Sequence, residues 1–400
     1  MITSLTGSSI NDLFYQILHE IWKWPEEQRR DNKLTVDSPG PVIIDMLDPR
    51  KRVLTVPKRN NSIIAACAET LWVLAGHNDL AFLSYYLPRA KDYSDDEGRT
   101  WRAAYGPRLR GRCDDRGPDG NDGYFVDQLA LVIKDLSERP TSRRAVISLL
   151  DWQSLGNDFD NFTSKDFPCT QSLSFMPRNG RLDLLVTIRS NDILFGWSGI
   201  NIFEFTFLHQ LVAHLVGIPL GCFYLISNSL HYYKKEFDTR FRNMASATAY
   251  DVYDHTVMPN PTNSLFGYGL DGLHIIDSQL KMIFDVEDYL RTRNSGDLDI
   301  GDLTFAGLPL FISDLVFVTL LGSFVLNCDK HPWSDYEDGL ASRLFDRVRD
   351  NALRVSLSEF LWRYYHRNEG GVLPCQLDDA MRSTWISCDA GTRMFISGGL

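Results

Sequence analysis

The sequence FPCTQ at residues 167–171, followed by IRSND at residues 188–192, decides the interpretation of this chain. A proline restricts the backbone just before Cys169, and this restriction fixes the direction in which the thiol points. Residues 182–188 alternate apolar and polar side chains, a pattern typical of a half-buried strand whose end would hold Arg189 rigidly. A lone cysteine in this setting is either a buried structural residue or a reactive thiol beside a cation.

Further residues on both sides of this stretch complete an ordered pattern. They are Glu69-Thr70-Leu71-Trp72, Gly76, Ala104-Tyr105-Gly106 and Ser142-Arg143-Arg144 upstream, and Gly196, Asn201 and His231-Tyr232-Tyr233 downstream. With Pro168-Cys169 and Arg189-Ser190-Asn191-Asp192, the pattern resembles the thymidylate synthase superfamily in order and nearly in spacing. That superfamily includes the synthases and the pyrimidine nucleotide hydroxymethylases. The resemblance runs from about residue 40 to about residue 240.

The resemblance implies an α+β, thymidylate synthase-like fold, in which helices pack on a large mixed β-sheet. We expect residues 1–250 to form this catalytic domain. Residues 251–400 are expected to form a mainly helical C-terminal extension, and their sequence indicates no function. Within the catalytic domain, residues 9–22 and 126–136 have helical apolar spacing, and residues 201–217 are predicted to form another helix.

The resemblance also implies a role for each matching residue. The residues with catalytic roles are Cys169, Glu69, Tyr105 and Asp192. The nucleotide-binding residues are Arg189, Ser190, Asn201, His231 and Tyr233, with Arg143 and Arg144 reaching the phosphate of the partner in a homodimer. The residues that contact the co-substrate, 5,10-methylenetetrahydrofolate, are Asp192, Glu69 and Trp72. We therefore expect a homodimeric enzyme that takes a pyrimidine nucleoside monophosphate and this folate.

Several of these residues also have a plain structural alternative. Glu69 lies in residues 62–75, which are apolar almost all round and are predicted to form a buried helix. An ionised carboxylate is costly to bury, so Glu69 is either at the helix surface or a functional group. Adjacent arginines such as Arg143 and Arg144 are commonly solvated, and a histidine beside tyrosines, such as His231, is commonly structural. The whole matching pattern favours the functional alternative in each case.

The chain departs from the synthases at four places. Ser38 stands where the superfamily usually has a phosphate-binding arginine, and Lys91 stands where synthases have a tryptophan near the folate. Thr170 replaces the histidine that synthases have after the cysteine. Residues 197–200 replace a short proline-containing turn, and the interval from Asp192 to Asn201 is one residue longer than in the synthases. The last three changes favour a polar pocket.

The chemistry implied by the resemblance begins with a covalent adduct. Addition of the Cys169 thiolate to C6 of a pyrimidine makes C5 nucleophilic, so that C5 can accept a one-carbon unit. Hydride then gives a methyl group, whereas water gives a hydroxymethyl group, and a polar pocket favours water. We favour a hydroxymethylase; a thymidylate synthase and a catalytically silent nucleotide-binding relative are the alternatives. The sequence leaves open uracil or cytosine, and ribose or deoxyribose.

Composition indicates an ordinary globular protein of 400 residues, 44% hydrophobic and 23% charged. A net charge of −11 argues against coating a nucleic acid polymer. Seven scattered cysteines without a CxxC pair argue against zinc or a disulfide framework and favour the reducing cytoplasm. Residues 303–326 are the most apolar stretch, and we expect a buried helix pair or a strand and helix there rather than a membrane span.

Overall fold

The structure of the protein is a computed structural model. It describes residues 2–28, 33–111, 126–150, 167–245, 251–254, 258, 264–292, 305, 307–328, 333–367 and 375–387. The strands are β1 Thr3–Gly7, β2 Glu26–Gln28, β3 Leu34–Asp37, β4 Val42–Met46, β5 Val146–Ser148, β6 Thr170–Arg178, β7 Arg181–Ile188, β8 Asn191–Asp192, β9 Leu220–Ser227 and β10 Leu230–Tyr233. The α-helices are α1 Ile10–Glu20, α2 Ile63–Leu74, α3 Leu80–Tyr86, α4 Tyr105–Arg110, α5 Gln128–Glu138, α6 Ile202–Val216, α7 Lys234–Ala245, α8 Gly269–Thr292, α9 Leu310–Cys328, α10 Asp335–Arg347, α11 Asn351–Arg367 and α12 Cys375–Ser387.

The strands form two sheets. The larger has six strands in the order β1-β4-β9-β7-β6-β5, and the smaller has four in the order β2-β3-β10-β8. In the larger sheet β1 pairs parallel with β4 and β7 pairs parallel with β9, whereas the other neighbouring pairs are antiparallel. The expected α+β fold with a large mixed sheet and packed helices is therefore confirmed, and the region after residue 250 is mainly helical, as predicted.

Helix α2 is the centre of the helical layer, since every one of its residues is buried. Its apolar composition on all sides predicts this burial, because no face carries a run of polar groups for solvent. Helix α9 covers one side of α2 at close range. A side chain carbon added at Gly322 of α9 would lie 2.2 Å from Cγ2 of Ile64. The absence of a side chain at Gly322 therefore permits this close crossing.

Helix α9 corrects one prediction. Within the described residues, the apolar stretch is one helix from Leu310 rather than a pair of elements; residues 303, 304 and 306 lie outside the described part. Asp314 does not interrupt the helix, because its carboxylate accepts hydrogen bonds from the backbone N–H groups of Arg349 (2.7 Å) and Asp350 (3.2 Å). The window Leu310–Asn327 is long and apolar enough to cross a membrane, but 72% of it is buried inside the protein, as in the core helix of a soluble protein.

Two other predictions need correction. The spacing of apolar residues over 340–366 predicts one helical segment, but α10 ends at Arg347 and α11 begins at Asn351. The bonds from Arg349 and Asp350 to Asp314 hold the chain in a turn there, so the helix does not continue. The polar composition of residues 89–116 predicts a loop, but within the described residues 89–111 the chain forms helix α4, which ends at the buried Arg110; residues 112–116 lie outside the described part.

Arg110 connects the region before residue 250 to the region after it. Its side chain donates to Asp127 at the start of α5 (3.1 Å), to the Leu74 carbonyl at the end of α2 (2.6 Å), and to both oxygens of Asp277 in α8 (2.9 and 2.8 Å). A buried cation needs such complete pairing to offset its desolvation. The helices of the C-terminal region thus pack directly on the helices of the expected catalytic domain.

Candidate active site

The Cys169 thiol lies at the start of β6, beside the Arg189 side chain. Nη2 of Arg189 is 3.6 Å from the sulfur and donates to the Phe167 carbonyl (2.8 Å), while Nε donates to the Pro168 carbonyl (2.9 Å). The backbone N–H of Arg189 also donates to the Cys169 carbonyl (2.9 Å). These bonds form because β6 and β7 are antiparallel neighbours, so the end of one strand lies beside the start of the other. A cation this close favours the thiolate form of a cysteine.

Tyr105 lies on the other side of the cysteine, at the first position of α4. Its hydroxyl oxygen accepts a hydrogen bond from the backbone N–H of Thr170 (3.1 Å). Burial, together with the nearby charge of Cys169, raises the pKa of Tyr105. The tyrosine is therefore a neutral hydrogen-bonding group next to the thiol. Gly106 follows it directly. A side-chain carbon at this position would lie only 2.4 Å from the His77 carbonyl oxygen, so a larger residue would push the start of α4 away.

Glu69 is buried inside α2 rather than at its surface. It is 9% exposed, and within the described residues its Oε2 atom has no hydrogen-bond partner. Burial raises the pKa of this carboxyl to about 8. The helix-surface alternative for Glu69 is therefore wrong, because packing around the helix leaves only this small fraction of the residue exposed.

Asp192 caps the segment that leads to Asn201. Its Oδ1 accepts from the backbone N–H groups of Leu194 and Phe195 (both 2.7 Å), and Oδ2 is buried without a hydrogen-bond partner in the described part of the chain. The segment Ile193–Asn201 is a π-helix, in which each turn holds more residues than an α-helical turn. The extra residue between Asp192 and Asn201 is accommodated in this wider turn.

Asn201 stays at the start of α6 despite the longer interval. Its Nδ2 lies 3.4 Å from Oδ1 of Asn191, and Nδ2 of Asn191 lies 3.3 Å from the hydroxyl of Ser227. Gly196 makes room for this contact, since an added side chain carbon there would lie 2.4 Å from Oδ1 of Asn191. The amide is thus held by β8, the strand that also contains Asp192 and that directly follows Ser190.

His231 is aligned with Asp192, because β10 and β8 pair in parallel. Its Nδ1 lies 3.8 Å from Oδ1 of Asp37 and 3.4 Å from the hydroxyl of Ser229, which donates to the same Asp37 oxygen (2.9 Å). The Tyr233 ring lies edge-on to the imidazole, with centroids 5.5 Å apart. The imidazole is therefore held in one orientation by an acidic neighbour.

Two predicted site residues, Arg143 and Arg144, lie apart from the thiol. Arg143 and Arg144 are exposed just before β5, and the neighbouring Ala145 carbonyl accepts from the N–H of Phe175 (2.9 Å), well along β6. That position is roughly 15–20 Å from the start of β6 at about 3.3 Å per residue. Trp72 is 1% exposed, and its indole N–H donates to the Asp79 carbonyl (3.0 Å). This gives Trp72 a structural contact, and its contact with folate stays a prediction.

Three of the departures from the synthases have defined surroundings in the structure. Ser38 is beside β10, where its hydroxyl accepts from the backbone N–H of Leu230 (3.1 Å). Lys91 is exposed in a short 3-10 helix, Pro88–Tyr93. The hydroxyl Oγ1 of Thr170 is buried without a hydrogen-bond partner within the described residues.

Sequence reasoning missed two residues of this site. Arg59 is fully buried, donates to the Leu194 carbonyl and lies 3.3 Å from the Ser198 hydroxyl, so it holds the π-helix in place. Burial lowers the pKa of Arg59 to about 9. Glu204, in the first turn of α6, is 1% exposed. The signal for Glu204 was available, because an acidic residue stands among apolar ones three positions after Asn201.

Known proteins with similar sequences include deoxyuridylate hydroxymethyltransferases and a thymidylate synthase. The chain is 36% identical over 199 residues to the deoxyuridylate hydroxymethyltransferase of Pseudomonas phage M6, covering 49% of this chain and 52% of that protein. It is 34% identical over 241 residues to the deoxyuridylate hydroxymethyltransferase of Bacillus phage SP01, covering 59% and 60%. It is 32% identical over 179 residues to the thymidylate synthase of Symbiobacterium thermophilum, covering 43% and 59%.

The chain thus spans between about half and three fifths of the length of these curated relatives. The sequence profile described as thymidylate synthase matches residues 11–282, which is more than half of the 400 residues. This matched range contains Glu69, Tyr105, Cys169, Arg189 and Asp192. The chain belongs to the thymidylate synthase family.

Proposed function

We propose that this protein is an enzyme that transfers one carbon to C5 of deoxyuridine monophosphate and releases the 5-hydroxymethyl nucleotide. The observation that carries the one-carbon transfer is the Cys169 sulfur lying 3.6 Å from Arg189 and beside Tyr105. The names of the two phage relatives, both deoxyuridylate hydroxymethyltransferases, support the base, the sugar and the product.

The thiol is the nucleophile in this proposal. Arg189 stabilises the thiolate, which adds to C6 of the base and moves the ring electrons toward the C4 oxygen. Glu69 carries a proton at neutral pH, because burial raises its pKa to about 8, and it donates a hydrogen bond to that oxygen. Asn201 holds the base edge through its amide, and His231 and Tyr233 hold the sugar hydroxyl. Arg189 and Ser190 contact the phosphate.

Asp192 is the group that suits the folate. Its buried Oδ2 has no hydrogen-bond partner among the described residues, so it can accept from the ring N–H groups of a pterin. The exposed Phe195 ring lies three residues away and offers an apolar surface. 5,10-Methylenetetrahydrofolate supplies the one-carbon unit when bound. The chain's own part is to orient it and to control the access of water.

Buried carboxylate oxygens favour water as the final nucleophile. Oε2 of Glu69 and both carboxylate oxygens of Glu204 have no hydrogen-bond partner in the described part of the chain. Such groups are ordinarily satisfied by ordered water. Water held there would add to the methylene group on C5 before hydride does. A thymidylate synthase is the second candidate, because the Symbiobacterium thermophilum relative has that name and shares every earlier step.

A homodimer completes the proposed site. Arg143 and Arg144 are exposed and far from the Cys169 of their own chain, which suits a role at the phosphate of a partner subunit. One face of the large sheet also remains partly open, with Cys222, Tyr224 and Ile226 alternating with buried residues along β9. A second copy packed on this face would bury those side chains.

The deciding experiment is product analysis in oxygen-18 water. The unmodified protein, deoxyuridine monophosphate and methylenetetrahydrofolate should give a product one oxygen heavier than the methylated nucleotide, with that oxygen from solvent. Dihydrofolate absorbance should not rise. Stoichiometric dihydrofolate with a methylated product would establish the synthase instead. A Cys169→Ser variant is the control, because it is nearly isosteric and should release no tritium from C5-labelled substrate.

A further inference from the structure

Glu204 is a buried acid to which the proposed function assigns no proton transfer. It is 1% exposed, and neither of its carboxylate oxygens has a hydrogen-bond partner within the described residues. An ionised carboxylate in such a place would cost several kcal/mol, so the group is held neutral or shares a proton with a neighbour. Its place in the fold identifies that neighbour.

Glu204 lies on the side of α6 that faces the reaction site. It follows Asn201 by three residues, and residues three apart share one helix face. The next residue, Phe205, packs against the Tyr105 ring with centroids 5.9 Å apart. Glu204 also contributes to the raised pKa of Tyr105, whose hydroxyl binds the backbone of Thr170. The acid is therefore close to Tyr105, the residue whose hydroxyl lies beside the thiol.

The neighbour is Glu69. Helices α2 and α6 pack against each other, and Oε2 of Glu69 is likewise buried without a hydrogen-bond partner in the described part of the chain. Burial raises the pKa of Glu69 to about 8; burial and then the charge of Glu69 raise the pKa of Glu204 well above its usual range. Two buried carboxyls that interact release their protons as a pair rather than independently.

We infer that Glu204 is a positioning residue that holds a reserve proton for Glu69, an inference that rests on the proposed function and deepens it. When the Cys169 thiolate adds to C6, the ring electrons move to the C4 oxygen. That oxygen takes a proton from Glu69, and the Glu69 carboxylate takes one from Glu204 through a bridging water, because neither Glu204 oxygen is hydrogen-bonded within the described residues. When C5 then bonds to the one-carbon unit, the C4 carbonyl re-forms and the proton returns through Glu69 to Glu204. The cycle consumes no net proton.

The test is the pH profile of a Glu204→Gln variant, in which the side chain keeps its shape and loses its proton. Tritium release from C5-labelled deoxyuridine monophosphate with methylenetetrahydrofolate is measured from about pH 6 to about pH 10. Without the reserve proton, activity should fall as Glu69 alone titrates, near pH 8. Release at about pH 9 should then be roughly tenfold below that of the unmodified protein, with similar rates near pH 7. Glu204→Asp should restore the unmodified profile.

Glu287→Gln is the matched control, since Glu287 is a buried glutamate paired with Tyr86 (2.6 Å) and Arg291 (3.1 Å), and its loss should leave the profile in place. An unchanged alkaline limb in Glu204→Gln, or an Asp variant that behaves like Gln, would overturn the inference.

Infrared difference spectra at about pH 8 provide a readout without turnover. Glu204→Gln should remove a protonated-carboxyl band, and an unchanged spectrum would refute the reserve proton. An unmodified protein that releases no tritium counts against the proposed function, whereas the infrared result still decides the role of Glu204.

Discussion

The Arg189 guanidinium and the Cys169 sulfur lie 3.6 Å apart, and the same guanidinium is fixed by the two carbonyl groups that precede the cysteine in the chain. The Phe167 ring also lies under the cation, 4.9 Å from centroid to guanidinium carbon. The positive charge is therefore held next to the thiol by the backbone itself, independently of any bound phosphate. Thiol reactivity and phosphate binding should thus depend on the same side chain.

Arg189→Lys should distinguish the effect of the positive charge from the effect of the guanidinium hydrogen bonds. Lysine keeps the positive charge but loses the planar fork that bonds to both carbonyl groups, so the thiolate should be less well stabilised. We expect the midpoint pH for alkylation of Cys169 by iodoacetamide to rise, and nucleotide affinity to fall. The alkylation rate is measured by mass spectrometry of the Cys169 peptide, with Cys169→Ser as the blank. An unchanged midpoint would mean that Arg189 does not activate the thiol.

The inactive variants Arg144→Ala and Cys169→Ser should complement each other when they form a mixed dimer. Each site of the proposed homodimer takes its thiol from one chain and its arginine pair from the other. Cys169→Ser and Arg144→Ala should each be inactive alone. Mixing them through unfolding and refolding should restore about a quarter of the activity per dimer, because half of the dimers are mixed and each mixed dimer has one intact site. A mixture no more active than its parents would mean that each site is self-contained.

Asn201→Asp should shift the preference between bases. A carboxylate accepts from the exocyclic amine of cytosine but repels the carbonyl of uracil, whereas an amide can serve either. We expect the ratio of kcat/KM for the uracil and cytosine nucleotides to shift toward cytosine, by a factor that corresponds to about 1–3 kcal/mol. An unchanged ratio would mean that the π-helix has turned this amide away from the base.

Glu69→Gln should change how stability depends on pH. The pKa of the carboxyl is raised to about 8 in the folded protein from its ordinary value of 4.5, so unfolding releases a proton between these two pH values. The unmodified protein should therefore lose stability as pH rises from about 4.5 to about 8, and the Gln variant should lose less. At about pH 9 the variant should be more stable by up to about 5 kcal/mol, in urea unfolding. Glu97→Gln, at a side chain 90% exposed, should show no such difference.

Gly322→Val should show whether the packing of α9 on α2 affects the active site. The added side chain would overlap Ile64 of α2, the helix that carries Glu69. Overpacking of this kind destabilises by about 1–3 kcal/mol, and displacement of α2 should also lower turnover. Thermal unfolding and tritium release measure the two effects. Ser313→Ala, elsewhere on α9, is the control; full activity in the Val variant would separate this packing from catalysis.

The sequence by itself determined the elements that carry the site. The alternation of residues 182–188 predicts β7, the apolar residues 62–75 predict a buried α2, and Ser9 caps α1 as its position before the apolar stripe suggests. These are local properties, because the periodicity of side chains and the chemistry of helix ends act within a few residues. The order of Glu69, Cys169, Arg189 and His231 was enough to indicate the family.

Only the tertiary structure decided what lies next to what. The burial of both oxygens of Glu204 depends on the packing of α6 against α2, and the separation of Arg143 from Cys169 depends on the register of β5 and β6. The π-helix that absorbs the extra residue before Asn201 is fixed by Arg59, distant in sequence. Such contacts join residues far apart along the chain, and their energies depend on burial. The spacing of residues along the chain does not show which distant residues come into contact or how deeply each contact is buried. The acid pair, the arginine separation and the π-helix could therefore not be predicted from spacing alone.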